Sequence, residues 1–255
     1  MIEHQDKNKG PLSGITVIDL TTILMGPFAT QHLGDMGADV IKIEPPGGDG
    51  IRYANQGRSP GMSNLFLNNN RNKRSLVLNL KHAAGKSVLE KLLKQGDVLV
   101  SNVRPQAMAR LGLSYEDVVK INPRLIYVAC FGFGQTGPYA ERPAYDDLIQ
   151  TMAGIPNLFE RAYDDEPKFL PANFCDRVTG LNVVNAVTAA LFYRERTGKG
   201  QSVEVPMYET MVQFLLSDHL GGYTFEPPTG SPGYARIINP NRRPYATKDG
   251  YLALL

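Results

Sequence analysis

Along residues 14–131, hydrophobic positions fall into two kinds of run. Short runs rich in Val, Ile and Leu occupy residues 14–20 (GITVIDL), 39–44 (DVIKIE), 75–80 (SLVLNL), 97–101 (DVLVS) and 125–131 (LIYVACF). Their length and β-branched content predict strands. Between them the spacing turns helical: residues 29–36, with Gly37 as a stop; 83–94, with Val88, Leu89, Leu92 and Leu93 on one face; and two shorter pieces at 104–111 and 115–121. Strand–helix–strand units of about 30 residues build parallel sheets. The pattern therefore predicts an α/β fold around an open, mostly parallel, doubly wound (Rossmann-like) sheet. Ligands of such sheets bind outside the carboxyl ends of the strands, which draws attention to the loops at 21–26, 102–105 and 132–138.

The second half is dominated by a helical run over 178–193. Its apolar positions Val178, Leu181, Val183, Val184, Ala186, Val187, Ala189, Ala190 and Leu191 cover most of a helix circumference, which predicts an interior helix. Asp176 stands just before it. Two readings stay open: Asp176 caps the helix by accepting first-turn N–H groups, or the helix start holds an ionised carboxylate in a cleft as a nucleophile. A strand at 202–205 and a helix at 208–219 follow. Residues 221–241, rich in Gly, Pro and Asn, read as a linker, and 245–255 as a hairpin turning at Asp249-Gly250. The expected organisation is a large α/β domain over 1–220, a linker over 221–241 and the incomplete start of a smaller domain over 242–255. An apolar strand at the very end reads as a C-terminal truncation.

Composition narrows the function classes. The 255 residues are 42% apolar and 20% charged, enough for a real core, and a formal net charge of +2 gives no reason to expect a nucleic-acid partner. The start, MIEHQDKNKG, lacks the apolar run of a signal peptide, and no apolar stretch reaches the ~18 residues of a membrane span. Cys130 and Cys175 lie far apart, too few for a disulfide framework or zinc cage, so a reducing, cytoplasmic compartment is expected. His4, His32, His82 and His219 show no metal spacing.

GFGQTG at 132–137 matches a dinucleotide fingerprint after an apolar strand, but PYAERP follows where a helix should open, and the expected acid is missing. What remains is a glycine loop, Gly132 and Gly134, whose N–H groups face a ligand. Arg71, Lys73 and Arg74 form a basic run that could grip phosphates or make a solvated turn. Arg104 and Arg110 flank a short helix beside a strand end, placed either for a ligand's phosphates or for solvent.

Several segments together resemble the class III CoA-transferase family (formyl-CoA transferase and carnitine CoA-transferase type, or CaiB/BaiF). They are PLSGITVIDLT, GPFATQHLGDMGADVIKIEPPGGD, NKRSLVLNLK, GFGQTGP, PAYDDLIQTMAG, FCDRVTGLNVVNAVTAAL and RERTGKGQSVEVPMYE, in the family's order from Pro11 to the chain end. The resemblance implies transfer of CoA from an acyl-CoA to a carboxylic acid, with Asp176 as the nucleophile that passes through an aspartyl anhydride and an aspartyl-CoA thioester. It places CoA along Leu24, Met25, Leu78, Lys81, Asn102, Val103 and Arg110, and Tyr145 and Asp146 beside the reacting carbonyl. CoA is then a substrate, with no prosthetic group, and an interlocked homodimer is implied. An aspartate of ordinary pKa would be ionised at neutral pH and need no separate base. The pattern departs from some members at Leu24, Pro45 and Pro143, and residues 237–241 show no counterpart of the family's glycine loop. A sister activity, α-methylacyl-CoA racemisation, uses a histidine where this chain has Tyr145. A non-catalytic CoA-binding module is the further alternative.

Overall fold

In the computed structural model, which describes residues 10–254, the apolar runs at 14–20, 39–44, 97–101 and 125–131 become strands with both faces buried, while the run at 75–80 falls on a more exposed strand. In chain order the elements are β1 (Thr16–Leu20), α1 (Met25–Asp35), β2 (Asp39–Glu44), α2 (Asn64–Asn69), β3 (Lys73–Val77), α3 (Ala83–Gln95), β4 (Val98–Ser101), α4 (Pro105–Leu111), α5 (Tyr115–Ile121), β5 (Ile126–Phe131), α6 (Asp146–Ala153), α7 (Ile155–Tyr163), α8 (Phe174–Thr197), β6 (Ser202–Pro206), α9 (Met207–His219), β7 (Tyr245–Ala246) and β8 (Tyr251–Leu252). A 3₁₀ turn, Gly50–Tyr53, lies between β2 and α2, and another, Gly221–Thr224, follows α9. The polar start at residues 1–9, with His4, and the final Leu255 of the expected hairpin lie outside the described residues.

Six strands form one parallel sheet in the order β3-β2-β1-β4-β5-β6. The order reverses between β1 and β4, so these neighbours leave the sheet towards different faces and open a crevice at their carboxyl ends. Alternation along β1 shows the double winding. Val17 joins a core shared with α1, α6, α8 and α9, while Ile18 and Leu20 join a second core under α3, α4 and α5. β7 and β8 make a separate hairpin of two antiparallel pairs, closed by Thr247 N–H donating to the Gly250 carbonyl.

The structure differs from the sequence reading at four places. α1 starts at Met25, four residues early, with Pro27 in its first turn. β3 starts at Lys73, so part of the basic run belongs to an edge strand. α6 and α7 had no counterpart in the reading. α8 is not apolar all round: Cys175, Thr179, Val183, Val187, Ala190 and Arg194 are buried, whereas Leu181 and Phe192 on the other side are exposed. Gly180 lies where α1 crosses α8. A Cβ there would sit 2.8 Å from Phe28 Cδ1 and 3.0 Å from the Met25 carbonyl oxygen. This close approach brings the start of α1 onto the start of α8. Among the described residues, no helix is long and apolar enough to cross a membrane.

Candidate active site

The loop from β1 to α1 forms one wall of a cleft, and buried charge sets its path. Asp19, fully buried on β1, accepts from Thr21 N (2.9 Å), Thr21 Oγ1 (2.5 Å), Thr30 Oγ1 (2.7 Å) and Lys73 Nζ (3.0 Å). Burial pushes this carboxyl up, but Lys73, Lys42 and the two hydroxyls outweigh it and hold it at about 2. Lys42 Nζ donates to the Thr21 carbonyl (2.8 Å) and pairs with Asp49 (2.9 Å). Asp49 Oδ1 in turn accepts from Ile23 N at 3.1 Å. Asn102, at the end of β4, clasps Thr22 from the other side: Thr22 N donates to Oδ1 (3.0 Å), and Nδ2 donates to the Thr22 carbonyl (2.8 Å). Ile23 is held at φ +72°, a left-handed conformation that a β-branched residue adopts only under constraint.

These contacts correct the reading of the basic run as either a phosphate grip or a solvated turn. Lys73 is buried on Asp19, while Arg71 and Arg74 pair with Asp35 and Asp39. Neither alternative describes Lys73.

The opposite wall comes from β5, the segment before α6, and the start of α8. The cleft has a volume of about 240 Å³ and is lined by Leu24, Met25, Asn102, Arg104, Gly132, Tyr145 and Asp176 among the residues singled out from the sequence. Gly132 admits the neighbouring wall, since a Cβ there would lie 2.1 Å from Ala144 Cβ. Leu78 and Val103 instead pack against the second core, Lys81 and Arg110 are exposed outside the cleft, and Asp146 is buried behind its wall. Gly134 is not a lining residue either: its N–H donates to Glu209 Oε1 (2.9 Å), so it cannot serve as the free donor expected of the glycine loop. Sequence reasoning passed over Thr22, Ile23, Phe133, Gln135, Arg142 and Met207, which also line the cleft. The loops of Thr22, Ile23, Phe133 and Gln135 were legible from the sheet rule, whereas Arg142 and Met207 lie outside those loops, and no residue-level signal marks any of the six.

Asp176 is the third residue of α8, not the residue before it. Its side chain is no cap: Asn173 holds the cap position, with no side-chain hydrogen bond to the first turn. Instead the Asp176 backbone N–H donates to Asp146 Oδ2 at 2.9 Å, so a neighbouring helix supplies the acceptor. The Asp176 carboxylate is freed to face the cleft. Burial, and then the charge of Asp146, push it up to about 7, against the pull of Arg177 and of the Met25 N–H at the start of α1. This replaces the expectation of an ordinary aspartate. Arg177 lies over the Phe28 ring at 4.4 Å and donates to Asn69 Oδ1. Burial pushes both thiols, Cys130 and Cys175, up to about 12, which removes them as competing nucleophiles. Tyr145 stands 69% exposed at the rim.

Residues 12–255 match the model of CoA-transferase family III. The chain is 44% identical over 213 residues to an acetyl-CoA:oxalate CoA-transferase of Acetobacter aceti, covering 82% of this chain and 54% of that protein. It is 37% identical over 256 residues to a succinate–glutarate CoA-transferase of Agrobacterium fabrum, covering 96% and 63%. A crystal structure of a CaiB/BaiF family protein from Brucella suis superposes with a TM-score of 0.84 at 36% identity, covering 95% of this chain and 65% of that one. The chain thus spans between half and two thirds of the length of these relatives.

Proposed function

The chain belongs to CoA-transferase family III, and from that premise we propose that the protein moves CoA from an acyl-CoA thioester to a carboxylic acid through covalent intermediates on Asp176. One observation carries this reading. The Asp176 carboxylate faces a cleft at the sheet's switch point, where the starts of α1 and α8 meet. In the first step a carboxylate oxygen of Asp176 attacks the thioester carbonyl. The C–S bond breaks, CoA leaves as thiolate, and an aspartyl–acyl anhydride remains. The thiolate then attacks the aspartyl carbonyl and expels the donor acid, leaving an aspartyl-CoA thioester. The acceptor carboxylate repeats the two steps in reverse order and restores Asp176. No proton transfer is required, so a carboxylate raised towards neutrality serves as a stronger nucleophile without a partner base.

Arg104 and Arg142 line the same cleft, and neither has a carboxylate partner among the described residues. They give it the positive charge that CoA phosphates and an acid acceptor need. Relatives named for oxalate, succinate and glutarate make a short dicarboxylic acid the acceptor class we favour. A homodimer and a cytoplasmic setting belong to the same reading, the first from the family resemblance and the second from two unpaired cysteines. The exposed Tyr145 gives no second base for racemisation at neutral pH.

The test is trapping. Incubation with acyl-CoA and hydroxylamine is expected to leave a hydroxamate on Asp176, seen by mass spectrometry and lost in Asp176→Asn. CoA binding without any adduct at Asp176 would overturn the mechanism. Washing of deuterium from solvent into the acyl α-position would point to the racemase instead.

A further inference from the structure

We propose that Gln150 is a positioning residue for the chemistry at Asp176: it fixes the Asp146 carboxylate in the orientation that holds the first turn of α8, and so aims the Asp176 side chain into the cleft. The inference rests on the reading of Asp176 as the nucleophile. Gln150 is fully buried on α6, one helical turn after Asp146. Its Oε1 accepts from Leu170 N at 2.9 Å, which fixes the amide so that Nε2 faces the carboxylate. Nε2 donates to Asp146 Oδ1 at 2.6 Å, with the Ala172 carbonyl at 3.4 Å on the same nitrogen. Asp146 Oδ2 accepts the Asp176 N–H. Both oxygens of Asp146 are therefore occupied by N–H donors from two directions. The chain Leu170–Gln150–Asp146–Asp176 ties the segment before α8 to α6, and α6 to the reactive residue. Gln150 does not line the cleft and makes no hydrogen bond to Asp176, so it acts on that residue through Asp146 and through the Leu170–Ala172 segment that leads into α8.

The groups that face Asp176 limit what else could set its protonation. They are Asp146 from α6, Arg177 and the buried Cys175 thiol from α8 itself, the Met25 N–H from α1 and the buried Cys130 thiol from β5. Of these, Asp146 is the one that also holds the Asp176 backbone, and the uncharged Gln150 side chain fixes its orientation. Removing a donor from Asp146 leaves its negative charge less compensated beside Asp176, which keeps the Asp176 carboxyl protonated up to higher pH.

The test uses the intact protein with Gln150→Met, which keeps volume and removes all three hydrogen bonds, and Gln150→Glu, which keeps an acceptor for Leu170 but sets an oxygen against Asp146. CoA transfer is followed from acid to alkaline pH. In parallel, carbodiimide labelling of Asp176 is read by mass spectrometry over the same range, a measurement that needs no turnover. Both variants are expected to keep KM for acyl-CoA within about twofold, while the midpoints of both profiles rise by ~0.5–1 pH unit and kcat at neutral pH falls about 3–10-fold, Glu more than Met. Should Gln150→Met fail to fold, Gln150→Glu carries the same comparison. An unchanged labelling midpoint, with kcat reduced only in proportion to the folded fraction, makes Gln150 a packing residue and overturns the proposal. If the midpoint shifts while the wild-type protein transfers no CoA, the positioning role stands and the transferase reading fails.

Discussion

Asp176 works against the stability of the fold it sits in. A carboxyl raised from 3.8 to about 7 binds its proton more tightly in the folded state than in the unfolded chain. Below the unfolded pKa both states are protonated and there is no penalty. As pH rises from about 4 to about 7, the unfolded chain ionises freely while the folded protein resists, so stability falls, and above that window the loss is complete. Asp176→Asn removes the titrating group and keeps the backbone N–H that Asp146 accepts. The variant is expected to be more stable than wild type at mildly alkaline pH by roughly 1–3 kcal/mol, after allowance for partial exposure, and equal to it near pH 4. Urea denaturation at the two pH values measures this. A variant clearly less stable at alkaline pH would mean that the carboxylate anchors the fold. The sequence marks Asp176 as a polar start to an apolar run. It gives no sign that Asp146, thirty positions earlier, would take over the capping work.

At the scale of elements, the β1–α1 loop depends on contacts from β2 and β4. Family resemblance sets Asn102 beside CoA, yet both functional ends of its amide are spent on Thr22. Asn102→Ala would leave the Thr22 N–H and carbonyl unpaired in a half-buried site, at a cost of about 1–3 kcal/mol. It is expected to lower Tm and to speed amide exchange at Thr22 and Ile23 before any ligand is added. Exchange that changes only when CoA is present would instead make Asn102 a ligand contact and not a clasp.

The same elements show what a sequence can display. β1, β2, β4 and β5 are legible because burial on both faces writes them as near-continuous apolar runs. β3 is blurred because an edge strand carries Lys73, Arg74 and Ser75. α6 and α7 escape notice because Gly154 and Pro156 break the pattern into two pieces of fewer than ten residues each. The buried charges Asp19 and Lys42 are unreadable for a further reason. Their partners, Lys73 and Asp49, become neighbours only once β1, β2 and β3 are aligned. Gln150 looks like a surface residue of α6 until Leu170 closes over it.

For the whole molecule, the cleft is where separate segments meet, so an occupant must be felt by all of them. Its walls come from residues 22–25, 102–105 and 130–145, with Asp176 and Met207 contributed by α8 and α9. No single element can bury a ligand there alone. Addition of CoA is therefore expected to slow amide exchange in these segments together, even though they lie far apart in sequence. The hairpin at residues 245–252 and the loop around residues 57–61 contribute nothing to the cleft and should exchange unchanged. A second hollow, about 190 Å³, lies between α7, α9 and residues 237–242 and is lined mainly by apolar side chains such as Ile155, Phe159 and Leu215. Such a lining suits an acyl tail better than phosphates, so short-chain acyl-CoA should leave its exchange rates untouched. Hydrogen exchange measured with CoA alone and with a short acyl-CoA separates these regions directly. Protection confined to the second hollow, or present at residues 102–105 without residues 22–25, would detach CoA from the switch point and from Asp176 with it.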